Sequence, residues 1–236
     1  ENSIKNNFLE SEYETRTCIA IIDEKIDGIT EILESGKGDM EVCNLFIKKY
    51  LEILEDKEIK VICGSGSLLK GIDPLVYNTL IEEGNKRGIK FILDTSGSTL
   101  VKGIEAKPFL IKPNQEELED ILGRKLNSIE EIADAARELM KKGAENVMVT
   151  LGGAGALLIT PERVYRGTFP KVEIKNTVGS GDSTVGGFAY ALSQGKDLAE
   201  CFRLGIACGT TNAMLDSTGT IDMDILNNIL PKIEIK

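Results

Sequence analysis

The pattern of apolar and polar positions changes near residue 40. Before it, the two kinds alternate in T15-R-T-C-I-A-I-I22 and in G28-I-T-E-I-L33, joined by D23-E-K-I-D27. Alternation with β-branched residues about a glycine-bounded turn predicts a β-hairpin at the edge of whatever follows. After residue 40, helical patterns run over 42–56, 73–87, 115–122 and 128–142. The apolar segments between them, V61-I-C63, K90-F-I-L-D94, F109-L-I-K112 and N146-V-M-V-T150, read as strands, with a loop between 94 and 109. Strands separated by helices imply βαβ units, hence an α/β fold with a mostly parallel sheet covered on both faces. In such sheets ligands bind at the carboxyl ends of the strands. Short strands return from Leu157 to Val172, and helices over 182–194 and 197–214 follow. The expected organisation is a hairpin within 10–35 and an α/β core over 40–236, with no internal repeat and no Pro/Ser-rich linker.

Composition narrows the chemistry. The 236 residues are 42% hydrophobic and 28% charged, as in an ordinary globular protein. No apolar run approaches the ~20 residues that cross a bilayer, and E1-N-S-I-K-N-N-F lacks the order of a signal peptide. A cytoplasmic protein with no membrane role is therefore expected. Five scattered cysteines without a C-x-x-C spacing read as buried reduced thiols rather than disulfides or a metal site. Histidine is absent, which removes His-dependent triads and imidazole bases. The net charge of −10 repels nucleic acid, so an anionic substrate would need locally concentrated Lys, Arg or backbone N–H groups.

Three strand ends could carry chemistry. In N176-T-V-G-S-G-D182, glycines allow N–H groups to converge at a helix start, where an anion is held. Asp182 there reads either as the helix N-cap or as a base that takes a proton from a substrate hydroxyl during phosphoryl transfer. The spacing is neither Walker A nor G-x-G-x-x-G, which argues against a dehydrogenase. In K112-P-N-Q-E-E117, Asn114 and Glu117 fit a capping box. They equally fit a lysine for phosphate with a carboxylate for magnesium. T150-L-G-G-A-G155 reads as a phosphate cradle or a plain turn. Arg16 is either a solvated edge charge or a phosphate clamp.

Taken together, E14-T-R, G64-S-G-S-L-L-K-G71, L93-D-T-S-G97, I111-K-P-N-Q-E-E117, V149-T-L-G-G-A-G155 and N176-T-V-G-S-G-D-S-T184 resemble the PfkB (ribokinase-like) family of sugar kinases. The resemblance spans nearly the whole chain, with its motifs in the family's order. It implies a ribokinase-like three-layer α/β/α fold with a small β lid, and an enzyme that uses ATP and Mg²⁺. The wording is most similar to the phosphosugar branch, which includes tagatose-6-phosphate kinase, 1-phosphofructokinase and the minor 6-phosphofructokinase. T30-E-I-L-E34, I-K-P-N and V-G-S-G-D-S-T tilt it toward tagatose 6-phosphate.

The resemblance implies a role for each residue. Asp182 would be the catalytic base, with Gly179, Ser180 and Gly181 forming the anion hole. Lys112 would touch the ATP phosphates, and Asn114 and Glu117 would organise Mg²⁺. Thr150, Gly152, Gly153, Gly155 and Thr177 would border the nucleotide, and Ile206 and Thr210 would line the adenine pocket. Arg16 would hold the phosphate of the sugar under the hairpin lid, whose apolar face also suits a homodimer. Two departures stand out: Leu69 replaces the proline of the family's G-S-L-P-x-G, and the family's substrate aspartate and G-G-K-G-x-N motif are not in this sequence. A fragment is thus expected, and a non-catalytic nucleotide-binding protein is the alternative to a kinase.

Overall fold

The computed structural model describes residues 4–22 and 29–236; the turn expected at 23–27 lies outside them. Strands β1 (Cys18–Ile22) and β2 (Ile29–Leu33) pair antiparallel, with Ile19 opposite Ile32 and Ile21 opposite Thr30. Residues opposite each other share a face, and on this one Ile19, Ile21 and Ile32 are all about half exposed. The strand begins two residues after Arg16, so the arginine stands in the approach to the hairpin and not within it.

The second sheet has seven strands in sequence order: β3 (Val61–Ser65), β4 (Lys90–Asp94), β5 (Leu110–Ile111), β6 (Asn146–Thr150), β7 (Ala156–Ile159), β8 (Val164–Thr168) and β9 (Glu234–Ile235). β3 to β6 are parallel, and β7 to β9 extend them antiparallel. Helices α1 (Met40–Ile53), α2 (Val76–Lys86), α3 (Gly97–Glu105), α4 (Gln115–Leu122) and α5 (Ile129–Lys142) pack on one face. Helices α6 (Ser180–Ser193), α7 (Leu198–Ala213) and α8 (Met223–Ile229) cover the other.

The period of two in the strands builds this sandwich. Phe91 and Leu93 of β4, Val147 and Val149 of β6, and Leu157 and Ile159 of β7 face the first helical layer. Ile92, Met148 and Leu158 face the second. All nine side chains are fully buried, and each contributes roughly 1.5–3 kcal/mol by leaving water. That outweighs the few tenths of a kcal/mol by which helix and strand propensities differ, so burial on both faces fixes the register.

The structure corrects three expectations. A helix, α3, occupies residues read as a loop, and it packs closely on β4: a Cβ on Gly103 would stand 2.5 Å from Leu93 Cδ2. Helix α6 starts at Ser180 rather than 182. Of the five free cysteines, Cys43, Cys201 and Cys208 are buried but Cys18 and Cys63 are exposed. Cys18 lies on the open hairpin, and Cys63 on a strand that is the edge of the sheet among the described residues. No helix among the described residues is long and apolar enough to cross a membrane.

Candidate active site

The carboxyl ends of the parallel strands gather the charged groups. β4 ends at Asp94, β5 runs into Lys112, and β6 ends at Thr150. Lys112 Nζ lies 3.1 Å from Asp94 Oδ1, with both side chains largely buried. Burial holds the Asp94 carboxyl above its ordinary range; Lys112 draws it back down, and Asp182 and Glu117 push it further up. These four charges therefore share one small region. A Cβ on Gly181 would stand 3.2 Å from Lys112 Nζ, so the ammonium group lies against the first turn of α6.

That first turn settles the role of Asp182 in the helix. The N-cap of α6 is Gly179, in the left-handed conformation at φ 79°, and no side chain caps the turn. Asp182 is the third helical residue and is exposed, so the N-cap reading is excluded. Gly179 is required there: its φ favours glycine, and a Cβ would meet Thr218 Cγ2 at 2.7 Å. Ser180 N–H donates to Thr177 O at 3.1 Å, so one of the three expected anion-hole donors is engaged in the turn.

At α4 the capping box is real. Asn114 Oδ1 accepts from Glu117 N–H at 2.8 Å, and Glu117 Oε2 accepts from Asn114 N–H at 2.9 Å. Each side chain keeps polar atoms beyond these bonds, the amide nitrogen of Asn114 and Oε1 of Glu117. Asn114 also bridges to Thr150 across the β5–β6 edge.

A cavity of about 340 Å³ opens beside these helix starts. Its wall includes Asn114, Thr150, Gly152, Gly153, Gly155, Thr177, Ser180, Gly181, Ile206 and Thr210, ten residues singled out from the sequence. Gly155, at φ 95°, cannot carry a side chain because a Cβ would collide with Gly167 O. Phe169 and Ile174 complete an apolar side that sequence reasoning missed. Lys112, Glu117 and Asp182 are not part of this wall and stand by the Asp94 cluster. Arg16 reaches the same sheet edge indirectly: its Nη1 donates to Ser67 Oγ at 3.0 Å, and neighbouring Gly66 N–H donates to Asp94 O at 2.9 Å. Asp94 was also missed as a site residue, although its place as the last residue of a parallel strand was a signal for it.

The model of the pfkB family of carbohydrate kinases matches residues 1–224. The chain belongs to this family. Over its whole length this pfkB kinase is 33% identical to a 1-phosphofructokinase of Bacillus subtilis (strain 168), covering 75% of that protein. It is 31% identical to a 1-phosphofructokinase of Haemophilus influenzae, again across the whole chain and 75% of the relative. Among solved structures it is similar to phosphofructokinase-2 from Escherichia coli in complex with potassium, at a TM-score of 0.84 and 28% identity, covering 94% of this chain and 72% of that one. The fold is ribokinase-like, and the enzyme is a phosphofructokinase-type sugar kinase that transfers a phosphoryl group to a hydroxyl.

Proposed function

We propose that this kinase uses MgATP to phosphorylate the free primary hydroxyl of a ketohexose phosphate, with fructose 1-phosphate the first candidate and tagatose 6-phosphate the second. The observation that carries the reading is the cavity, whose wall holds every residue expected to border the nucleotide except Lys112 and ends at Gly181 beside Lys112 and Asp182. Fructose 1-phosphate moves ahead of tagatose 6-phosphate because both curated relatives above are named 1-phosphofructokinases. Either substrate carries its phosphate at one end and its acceptor hydroxyl at the other, so a phosphate clamp and a base at separate points suit both.

In this reading Ile206 and Thr210 pack on the base of the nucleotide, and Thr150 to Gly155 and Thr177 flank it. Lys112 directs its ammonium to the phosphates. Asp182, exposed toward the substrate side, accepts the proton of the attacking hydroxyl. First-turn N–H groups of α6 take up charge on the phosphoryl group in flight. Gly179 and Gly181 supply them directly, and Ser180 does so on releasing Thr177.

Among the described residues no group of three His, Cys, Asp or Glu side chains is arranged to hold a metal ion. Magnesium bound to nucleotide phosphates needs only one or two carboxylates, and Asp94 and the free Oε1 of Glu117 fit that requirement, with the second lone pair of Asn114 Oδ1 left to accept from a water of the ion. When bound, the ion offsets phosphate charge. Arg16 clamps the phosphate of the sugar, and the 10–35 hairpin closes over the 40–236 core as a lid in a cytoplasmic enzyme. The exposed Ile19, Ile21 and Ile32 face of that lid suits pairing with a second copy.

The test is ADP formation from MgATP with fructose 1-phosphate, fructose 6-phosphate and tagatose 6-phosphate. Fructose 1-phosphate is expected to give the highest kcat/KM, and Arg16→Ala to raise KM for the sugar more than for ATP. ADP formation with none of the three defeats the kinase reading and leaves a nucleotide-binding protein; a preference for tagatose 6-phosphate reverses only the order of substrates.

A further inference from the structure

We infer that Asn212, near the end of α7, is a positioning residue that aims the Gly179 N–H of the phosphoryl-transfer loop. Its side chain is fully buried, flanked in sequence by Thr211 and Ala213. An unpaired amide in such a place is destabilising, so its partners decide why it is there. Asn212 Nδ2 donates to Val178 O at 2.9 Å and to Ser180 Oγ at 3.0 Å, and its Oδ1 accepts from Gly219 N–H at 2.7 Å. One amide thus ties together α7, the loop before α6 and the turn after α7.

The consequence follows from peptide planarity. The carbonyl of Val178 and the N–H of Gly179 belong to one trans peptide and point in opposite directions. Holding Val178 O against Asn212 therefore turns Gly179 N–H away from the core. The other side of Val178 is fixed as well, since its N–H donates to Asn176 Oδ1 at 2.9 Å. Asn176 Nδ2 in turn donates to Asp216 O at 3.2 Å and Thr218 Oγ1 at 3.3 Å. The turn at 216–219, fastened by both asparagines, is the surface on which the left-handed Gly179 sits.

The inference rests on the reading of 179–181 as the anion hole, and the experiment keeps the two apart. Asn212→Asp preserves shape and the bond from Gly219 but removes both donors. Its kcat with the best sugar phosphate should fall roughly 10- to 100-fold, with KM for MgATP within about threefold, as for a small misplacement of a preorganised group. Thr211→Val, which removes an equally buried hydroxyl that makes no hydrogen bond, should keep kcat within about twofold, since an apolar group of the same shape in place of a buried polar one is nearly neutral. If Asn212→Asp does not fold, Asn212→Ser, too short to reach both acceptors, serves in its place. Wild-type kcat in the asparagine variant, or an equal loss in Thr211→Val, overturns the positioning role while leaving the kinase reading intact. Absence of turnover in the wild type overturns the anion hole and the inference with it.

Discussion

Helices α4 and α6 begin close together at the same edge of the sheet, yet they end their first turns in opposite ways. At α4, Asn114 and Glu117 satisfy each other's backbone N–H groups, so the helix start is closed by its own side chains. At α6, a left-handed glycine occupies the N-cap, no side chain caps the turn, and Lys112 lies against Gly181. The first arrangement stabilises the helix locally. The second leaves N–H donors unpaired by side chains, and neighbouring groups rather than the helix itself keep it in place. A helix start can thus serve stability or chemistry, and what distinguishes the two is whether its donors are already taken.

The largest test of that contrast is Asp182→Asn. As the base beside the open helix start it should lower kcat by roughly 10²–10⁴-fold while ATP affinity, measured by calorimetry, stays within a few fold. An unchanged kcat would remove Asp182 from the reaction. Next comes Gly179→Ala, which puts a Cβ into a left-handed position 2.7 Å from Thr218 Cγ2. It should lower unfolding free energy by about 1–3 kcal/mol, read from urea denaturation, and depress kcat as well.

The closed start should respond differently. Asn114→Ala removes a cap and should lower unfolding free energy by about 1 kcal/mol, with a smaller fall in kcat than Gly179→Ala gives. An equal fall would show that the α4 start is as chemical as that of α6.

The smallest effect concerns Glu119, whose carboxylate is held down to about 2, first by the hydrogen bond from Lys125, then by Gln115 and by Leu126 N–H. Because the folded state lowers this value, its stabilisation is present above the ordinary carboxylate range and is lost as pH falls toward 2. Glu119→Gln should therefore flatten the acid limb of thermal stability between pH about 4.5 and 2. An unchanged limb would mean that the pairing with the exposed Lys125 contributes little.

Much of this architecture was legible from local patterns. Helices α4, α5 and α7 fall within two residues of their expected bounds, because caps and period-3.6 runs are short-range signals. Eight of the ten cavity residues were legible through motifs at the strand ends and before α6, whereas Ile206 and Thr210 came only from the family resemblance. Helix α3 was not, since its glycine answers to Leu93 on a neighbouring strand. Asn212 left no trace in the pattern either, since one polar residue late in a helix carries no information until its burial is known. Asp94 lies between: its position was visible, but its ion pair with Lys112 was not.

By itself, then, the sequence determined the order of most elements, α3, α8 and β9 apart, together with the two-faced sheet and the residue types at the strand ends, because periodicity and turn chemistry act over a few residues. Only the tertiary structure decided that Gly179 and not Asp182 caps α6, that Lys112 is held by Asp94, and that Asn212 fastens Val178. Each of these depends on groups at least 18 residues apart in the chain meeting at one point, and no local pattern records which distant group will arrive there.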